Sequence, residues 1–171
     1  MVKFNKEKIM SIEIEELTAE YTEAAKDLLA ELQAHIAALD NRGVIVLKEN
    51  FRDDYFKFVT EEVKKHSGKI FVAVMDRCAV GIVICKIFQG GGEEDITTTC
   101  PKVGFISDLV VTKNERGKGI GKALLAHAEK FFKDSGCEYT QLEVFAHNTR
   151  AFELYKKSGF EPRCIYMSKK C

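Results

Sequence analysis

The sequence predicts a single α/β domain, a mixed central β-sheet flanked by about four helices, and three observations point to it. Lys69 to Met75 and Ala79 to Phe88 carry β-branched residues on both faces, as strands of a sheet covered on both sides do. Val103 to Thr112, a glycine-rich turn, a helical apolar stripe and Tyr139 to Ala146 follow as strand, turn, helix and strand, a βαβ crossover with parallel strands. The chain has 171 residues, 46% of them apolar, which is enough for one core and short for two. Residues 1–171 are therefore read as one domain, with residues 1–100 and 101–171 as its two halves.

The elements follow in order. Ile12 to Ile14 alternates apolar and charged residues as a short strand does, and Glu15 to Thr18 leads into a helix. From Ala19 to Leu39 the positions Ala25, Leu28, Leu29, Leu32, Ile36 and Leu39 recur at helical spacing, and Asn41-Arg42-Gly43 stops the run. A second helix opens at Asn50 with Phe51, Tyr55, Phe58, Val59 and Val63 on one face. It ends at His66, with Gly68 expected to supply a left-handed cap.

The two apolar strands are joined tightly through Asp76-Arg77, which predicts a hairpin. Gly90 to Thr99 reads as an acidic loop. Beyond the next strand, Leu124, Leu125, Ala128, Phe131 and Phe132 form a stripe on a helix from Ile120 to Lys133, closed by Ser135-Gly136. A short helix, Thr149 to Ser158, stops at Gly159, and Cys164 to Met167 is expected to add a last strand.

Charge and cysteine content narrow the function. Lys plus Arg and Asp plus Glu number 26 each, so no global field holds a polyanion, and neither nucleic acid nor a membrane is expected as partner. No apolar run reaches the roughly 18 residues of a membrane span. The six cysteines show no CxxC pair or zinc-like spacing and no secretory leader precedes them, so no metal and a cytoplasmic location are expected. Cys78 and Cys85, in apolar strand patterns, are read as buried.

The informative segment is Arg116-Gly117-Lys118-Gly119-Ile120-Gly121-Lys122, between a strand and a helix. Three glycines let the backbone come close to a ligand, and the helix start offers unpaired N–H groups. With the dipole and three cations, this suits a phosphate or diphosphate; the plainer alternative is a glycine-rich turn that merely begins a helix. A Walker loop is excluded because Arg116 and Ala123 stand where Gly and Ser or Thr are needed. A GxGxxG fingerprint fails at Lys122 and Leu124.

Arg116, Gly119 and Gly121 resemble the Q/R-x-x-G-x-G/A signature of the GNAT superfamily of N-acetyltransferases. Asn148, Ala151, Tyr155, Gly159 and Phe160 are similar to its N-x-x-A-x-x-x-Y-x-x-x-G-F stretch, and the likeness covers Val103 to about Tyr166. The resemblance implies a GNAT fold with a βαβ core that binds acetyl-CoA as acetyl donor, residues 1–100 forming the acceptor-side half. It places the coenzyme's diphosphate on Gly117, Lys118, Gly119, Ile120, Gly121 and Lys122, with Arg116 beside it. The pantetheine arm would run along Leu109, Val110 and Val111 and touch Asn148 and Tyr155. A bulge near Leu109 is implied too.

Acyl transfer to an amine needs a route for the amine proton, stabilisation of oxyanion charge and a proton for the leaving thiolate. By resemblance Tyr155 is the proton donor, although the same pattern also describes a helix burying a tyrosine. Glu143 is the first choice of base, because its spacing from Tyr155 looks like the glutamate and tyrosine pair of the bacterial ribosomal-protein N-terminal acetyltransferases. Asp108, just before the bulged segment, is the second. Either is equally readable as a solvated carboxylate on a strand. His147 is a candidate proton relay only. The acceptor wall is expected between Asp40 and Phe58, with Phe51, Tyr55 and Phe56.

The expected activity is direct acetyl transfer to a primary amine of a small molecule or peptide. An N-terminal or lysine acetyltransferase acting on proteins and a non-catalytic acyl-CoA sensor are the alternatives.

Overall fold

The computed structural model describes residues 11–89 and 99–170. Its elements are β1 (Glu13–Glu16), a 3-10 turn (Ala19–Tyr21), α1 (Thr22–Leu39), α2 (Phe51–Lys65), β2 (Lys69–Met75) and β3 (Cys78–Gln89). Then come β4 (Lys102–Val111), a second 3-10 turn (Lys113–Glu115), α3 (Ile120–Asp134), β5 (Tyr139–Leu142) and α4 (Thr149–Lys157). The five strands lie in the order β1-β2-β3-β4-β5, antiparallel except for the β4–β5 pair, which is parallel as the crossover requires.

The sheet is covered on both faces, which is why β2 carries no polar face. Ile70, Val72 and Val74 pack with Leu28 and Leu29 of α1 and with Val59 and Val63 of α2. Phe71, Ala73 and Met75 point the other way, toward Leu124, Leu125, Ala128 and Phe132 of α3. Each Val, Leu, Ile, Phe or Met among these side chains, once removed from water, contributes about 1.5–3 kcal/mol.

The hairpin between β2 and β3 turns on two residues, Asp76 (φ 48°) and Arg77 (φ 65°), both left-handed as this turn demands. The end of α2 corrects one expectation. Ser67 (φ 47°) rather than Gly68 takes the left-handed position, with Gly68 N donating to Val63 O at 2.8 Å. Gly68 is needed for another reason: a Cβ there would stand 2.0 Å from Cys85 O on β3.

In β4, Asp108 pairs with Ile84 and Ile106 with Cys85, so Ser107 is an extra residue, a β-bulge. Ile106 and Asp108 are two apart in sequence yet face opposite layers: Ile106 packs with the α3 cluster, Asp108 bonds to α2. The β4–β5 pairing runs from Val103–Tyr139 to Ile106–Leu142 and stops at this bulge. The strand expected to reach Ala146 therefore ends at Leu142, having lost its partner.

Three further expectations are corrected or fall outside the description. Cys164 to Met167 form no strand, and every residue from Glu161 to Lys170 is exposed. Cys85 is buried as expected, but Cys78, first in β3 beside the turn, is exposed. Nearly all of the Gly90 to Thr99 loop, and Cys171, lie outside the described residues. Among the described residues no helix is long and apolar enough to cross a membrane.

Candidate active site

The glycine-rich turn delivers the chain from β4 into α3. Gly117 (φ 87°) and Gly119 (φ 84°) are left-handed, a region costly for other residues. A Cβ at either would meet nothing within 4 Å, so the space outside the turn is open. Gly119 is the N-cap and has no side chain to fold back. The first bond of the helix is Ala123 N to Gly119 O, so the N–H groups of Ile120, Gly121 and Lys122 have no acceptor within it. These amides, at the positive end of the helix dipole, present a surface suited to an anion.

The three cations divide. Arg116 Nη2 pairs with Glu31 Oε1 of α1 at 2.6 Å, and its Nε donates to Val111 O at 2.7 Å. Its guanidinium fastens the turn to β4 and to α1. Lys118 pairs with Glu115 at 2.6 Å, whereas Lys122 is exposed and, among the described residues, in no ion pair. The backbone, more than the side chains, presents positive charge here.

Next to this turn β4 has an open edge. Beyond Ile106 it has no strand partner on the β5 side, so the main chain of Leu109, Val110 and Val111 can meet an extended polar ligand there. α4 lies close by, since a Cβ at Gly121 would meet Leu154 of α4 at 3.5 Å and Val111 of β4 at 3.8 Å. Asn148 Oδ1 accepts from Ala151 N at 3.2 Å, the N-cap bond its position suggested. Tyr155, on the same helix, packs against the α3-side core. Burial first, then the negative charge of Asp108, pushes its phenol up to about 12.

Asp108 is 5% exposed. Tyr55 OH of α2 donates to its Oδ1 at 2.8 Å, and Gln33 Nε2 of α1 donates to Tyr55 OH at 2.9 Å. Burial raises the carboxyl above the ordinary range; the Tyr55 hydrogen bond is the largest effect pulling it back. The Ser107 hydroxyl pulls in the same direction, although its buried Oγ makes no hydrogen bond of regular geometry. Glu143 is the first residue past β5 and is exposed. Asn41 Nδ2 and His147 Nε2 meet at 3.5 Å, joining the loop after α1 to the loop before α4.

Asp108 and Tyr155 are thus brought within electrostatic reach of one another, while Glu143 stands apart in solvent. The sequence reading gave Tyr55 an aromatic wall and passed over Gln33. A signal existed for Gln33: it follows the buried Leu29 by four residues, so it shares the inward face of α1, where an amide needs a partner.

The family model for the acetyltransferase (GNAT) family matches residues 7–160. An N-alpha-acetyltransferase of Sulfurisphaera tokodaii is 35% identical over 118 residues, 68% of this chain and 69% of the relative. Among solved structures, a putative acetyl transferase from Pyrococcus furiosus superposes with a TM-score of 0.72 at 26% identity, over 94% of this chain and 100% of that one. An aminoglycoside N-acetyltransferase in complex with CoA shares the fold at a TM-score of 0.70 and 18% identity, over 96% of this chain and 99% of that one. With the glycine turn, the split strand pair and the capped helix in place, the match over most of its length shows that this chain belongs to the GNAT family of acetyltransferases.

Proposed function

We propose that the protein transfers the acetyl group of acetyl-CoA directly to a primary amine of a small molecule or peptide. The observation that carries this reading is the row of amides at Ile120, Gly121 and Lys122, placed beside a strand edge with no partner. The residues fit the coenzyme: no side chain at Gly117 or Gly119 obstructs a diphosphate, and the helix start supplies its donors. Leu109, Val110 and Val111 would pair with the pantetheine amides, with Asn148 opposite. The likeness to a fold solved with CoA supports the same assignment. Acetyl-CoA, when bound, supplies an acyl carbon activated as a thioester and a thiol leaving group.

The chain's own residues divide the proton work. Asp108 takes the proton of the incoming ammonium, since a buried carboxylate of raised basicity is a better acceptor than exposed Glu143. Tyr155 keeps its proton through the neutral range and gives it to the departing sulfur. The bulge at Ser107 leaves main-chain groups of β4 out of the ladder, available to the carbonyl oxygen as its charge grows. A peptide α-amine as acceptor is the reading favoured by the likeness to the Sulfurisphaera N-alpha-acetyltransferase.

Thermal shift tests the cofactor. Acetyl-CoA or CoA at a hundredfold over Kd should add about 2.7 kcal/mol and raise Tm by several degrees, with ATP inert; stabilisation by ATP alone would overturn the reading. Transfer of radiolabelled acetyl to polyamines, aminoglycosides, amino acids and short peptides then identifies the acceptor. Tight CoA binding without turnover on any of them would support a sensor instead.

A further inference from the structure

A chain of hydrogen bonds crosses three elements to reach Asp108, from Gln33 Nε2 of α1 through Tyr55 OH of α2 to the carboxyl Oδ1. The transfer proposed above uses the carboxyl and leaves the amide at the far end without a role. Ion pairs join the two helices nearby, Lys26 to Asp53 at 2.8 Å and Arg52 to Asp27 at 2.6 Å. Lys26 and Gln33 stand seven residues apart, two turns along one side of α1, and both meet α2.

The direction of the chain follows from its end. An ionised carboxylate has no proton to give, so the Tyr55 hydroxyl donates its single proton to Oδ1. The phenol oxygen can then only accept on its other side, which calls for the NH2 of Gln33 and not its carbonyl. A donor at that place commits the phenol proton to Asp108, whereas an acceptor would compete for it. Among the described residues, Oδ1 is the carboxyl oxygen reached by a hydrogen bond of regular geometry, which leaves Oδ2 for a proton from outside. The other groups facing the carboxyl are Ser107 beside it, Lys86 of β3 and Tyr155 of α4. Lys86 by its charge and Ser107 by its hydroxyl favour the ionised form, but the side chains that bond the phenol are Asp108 and Gln33.

We propose, on the reading of Asp108 as the base, that Gln33 is a positioning residue for the proton transfer: its amide turns the Tyr55 hydroxyl onto Oδ1 and so reserves Oδ2 for the acceptor ammonium. In that step one N–H bond of the ammonium breaks and its electron pair stays on nitrogen. The proton bonds to Oδ2, leaving a neutral amine and a carboxylic acid. Gln33 itself exchanges no proton.

Gln33→Glu puts an acceptor where the donor stood. The new carboxylate draws the hydroxyl away from Asp108 and also repels its charge, so the acid limb of the kcat/KM profile should move to higher pH. At the acid end kcat/KM should fall about tenfold. Repulsion acts through space while the other effect needs the hydroxyl, so the same change is made in the Tyr55→Phe background. The limb should move further with Tyr55 present than in Y55F. Equal movement in both backgrounds, or none in either, would overturn the proposal. Should Q33E fail to fold, Gln33→Met removes the donor without adding charge, and the same comparison and the same outcomes apply. Asp108→Asn in parallel tests the premise: full activity there removes the base, whereas lost activity with equal limb shifts removes the role of Gln33 alone.

Discussion

The chemistry proposed for this site turns on a carboxyl that folding makes less acidic. Burial raises Asp108, so the folded state favours its protonated form. As pH rises from its unfolded to its folded value, stability is lost, and over the same range the carboxylate needed to accept a proton is gained. Asp108→Asn should therefore lower kcat/KM by about 10²–10⁴-fold, while Glu143→Gln stays within a few-fold of wild type. Steady-state kinetics on both variants checks this, and the reverse ranking would hand the base to Glu143. Tyr55 offers a sharper probe. Its hydroxyl lowers Asp108, so Tyr55→Phe should move the acid limb of the kcat/KM profile to higher pH. If Tyr55 only supports the fold, Tm will fall and the limb will stay in place.

Among the elements, the start of α3 is the one whose first amides lack acceptors within the helix, as the proposed coenzyme site requires. Gly119→Ala places a methyl in open space, so its cost is backbone strain of about 1–2 kcal/mol rather than a clash. The affinity for acetyl-CoA should drop more than tenfold, because the methyl takes up open space outside the turn where the diphosphate is proposed to lie; isothermal titration beside a thermal melt separates the two effects. This turn was legible from sequence because glycine reports backbone directly. So were the hairpin at Asp76-Arg77 and both faces of β2, where burial dictates residue type at every position. The bulge was expected only from resemblance, since an extra residue in a strand has no composition of its own. The end of β5 at Leu142 was invisible for a related reason: Glu143 to Ala146 have strand-like residues, and what they lack is a partner. Gln33 and Tyr55 were missed as a pair because their bond to Asp108 spans three elements that meet only once folded.

At the scale of the molecule, the N-terminal and C-terminal halves of the chain share one sheet and are tied by polar links. Glu31 of α1 holds Arg116 of the glycine turn, and Asn41 meets His147. The Glu31–Arg116 pair is partly exposed, with side chains 35% and 26% accessible, so it is worth no more than about 1 kcal/mol. Glu31→Gln should leave Tm within a few degrees and raise KM for acetyl-CoA several-fold, read from melts and initial rates on the same preparation. A fall in Tm with KM unmoved would assign the pair to stability alone.

Ser107 shows what the sheet tolerates for the sake of its chemistry. With that one residue removed, Ile106 would still oppose Cys85 and Asp108 would still oppose Ile84, each on its present side. The shortened strand would be the more regular one, its ladder mended and its hydroxyl no longer stranded. The architecture has no use for the surplus residue. In the proposed mechanism it serves the Asp108 carboxyl and the unpaired border of β4 beside it, so a mutant lacking it should melt no lower and turn over far more slowly.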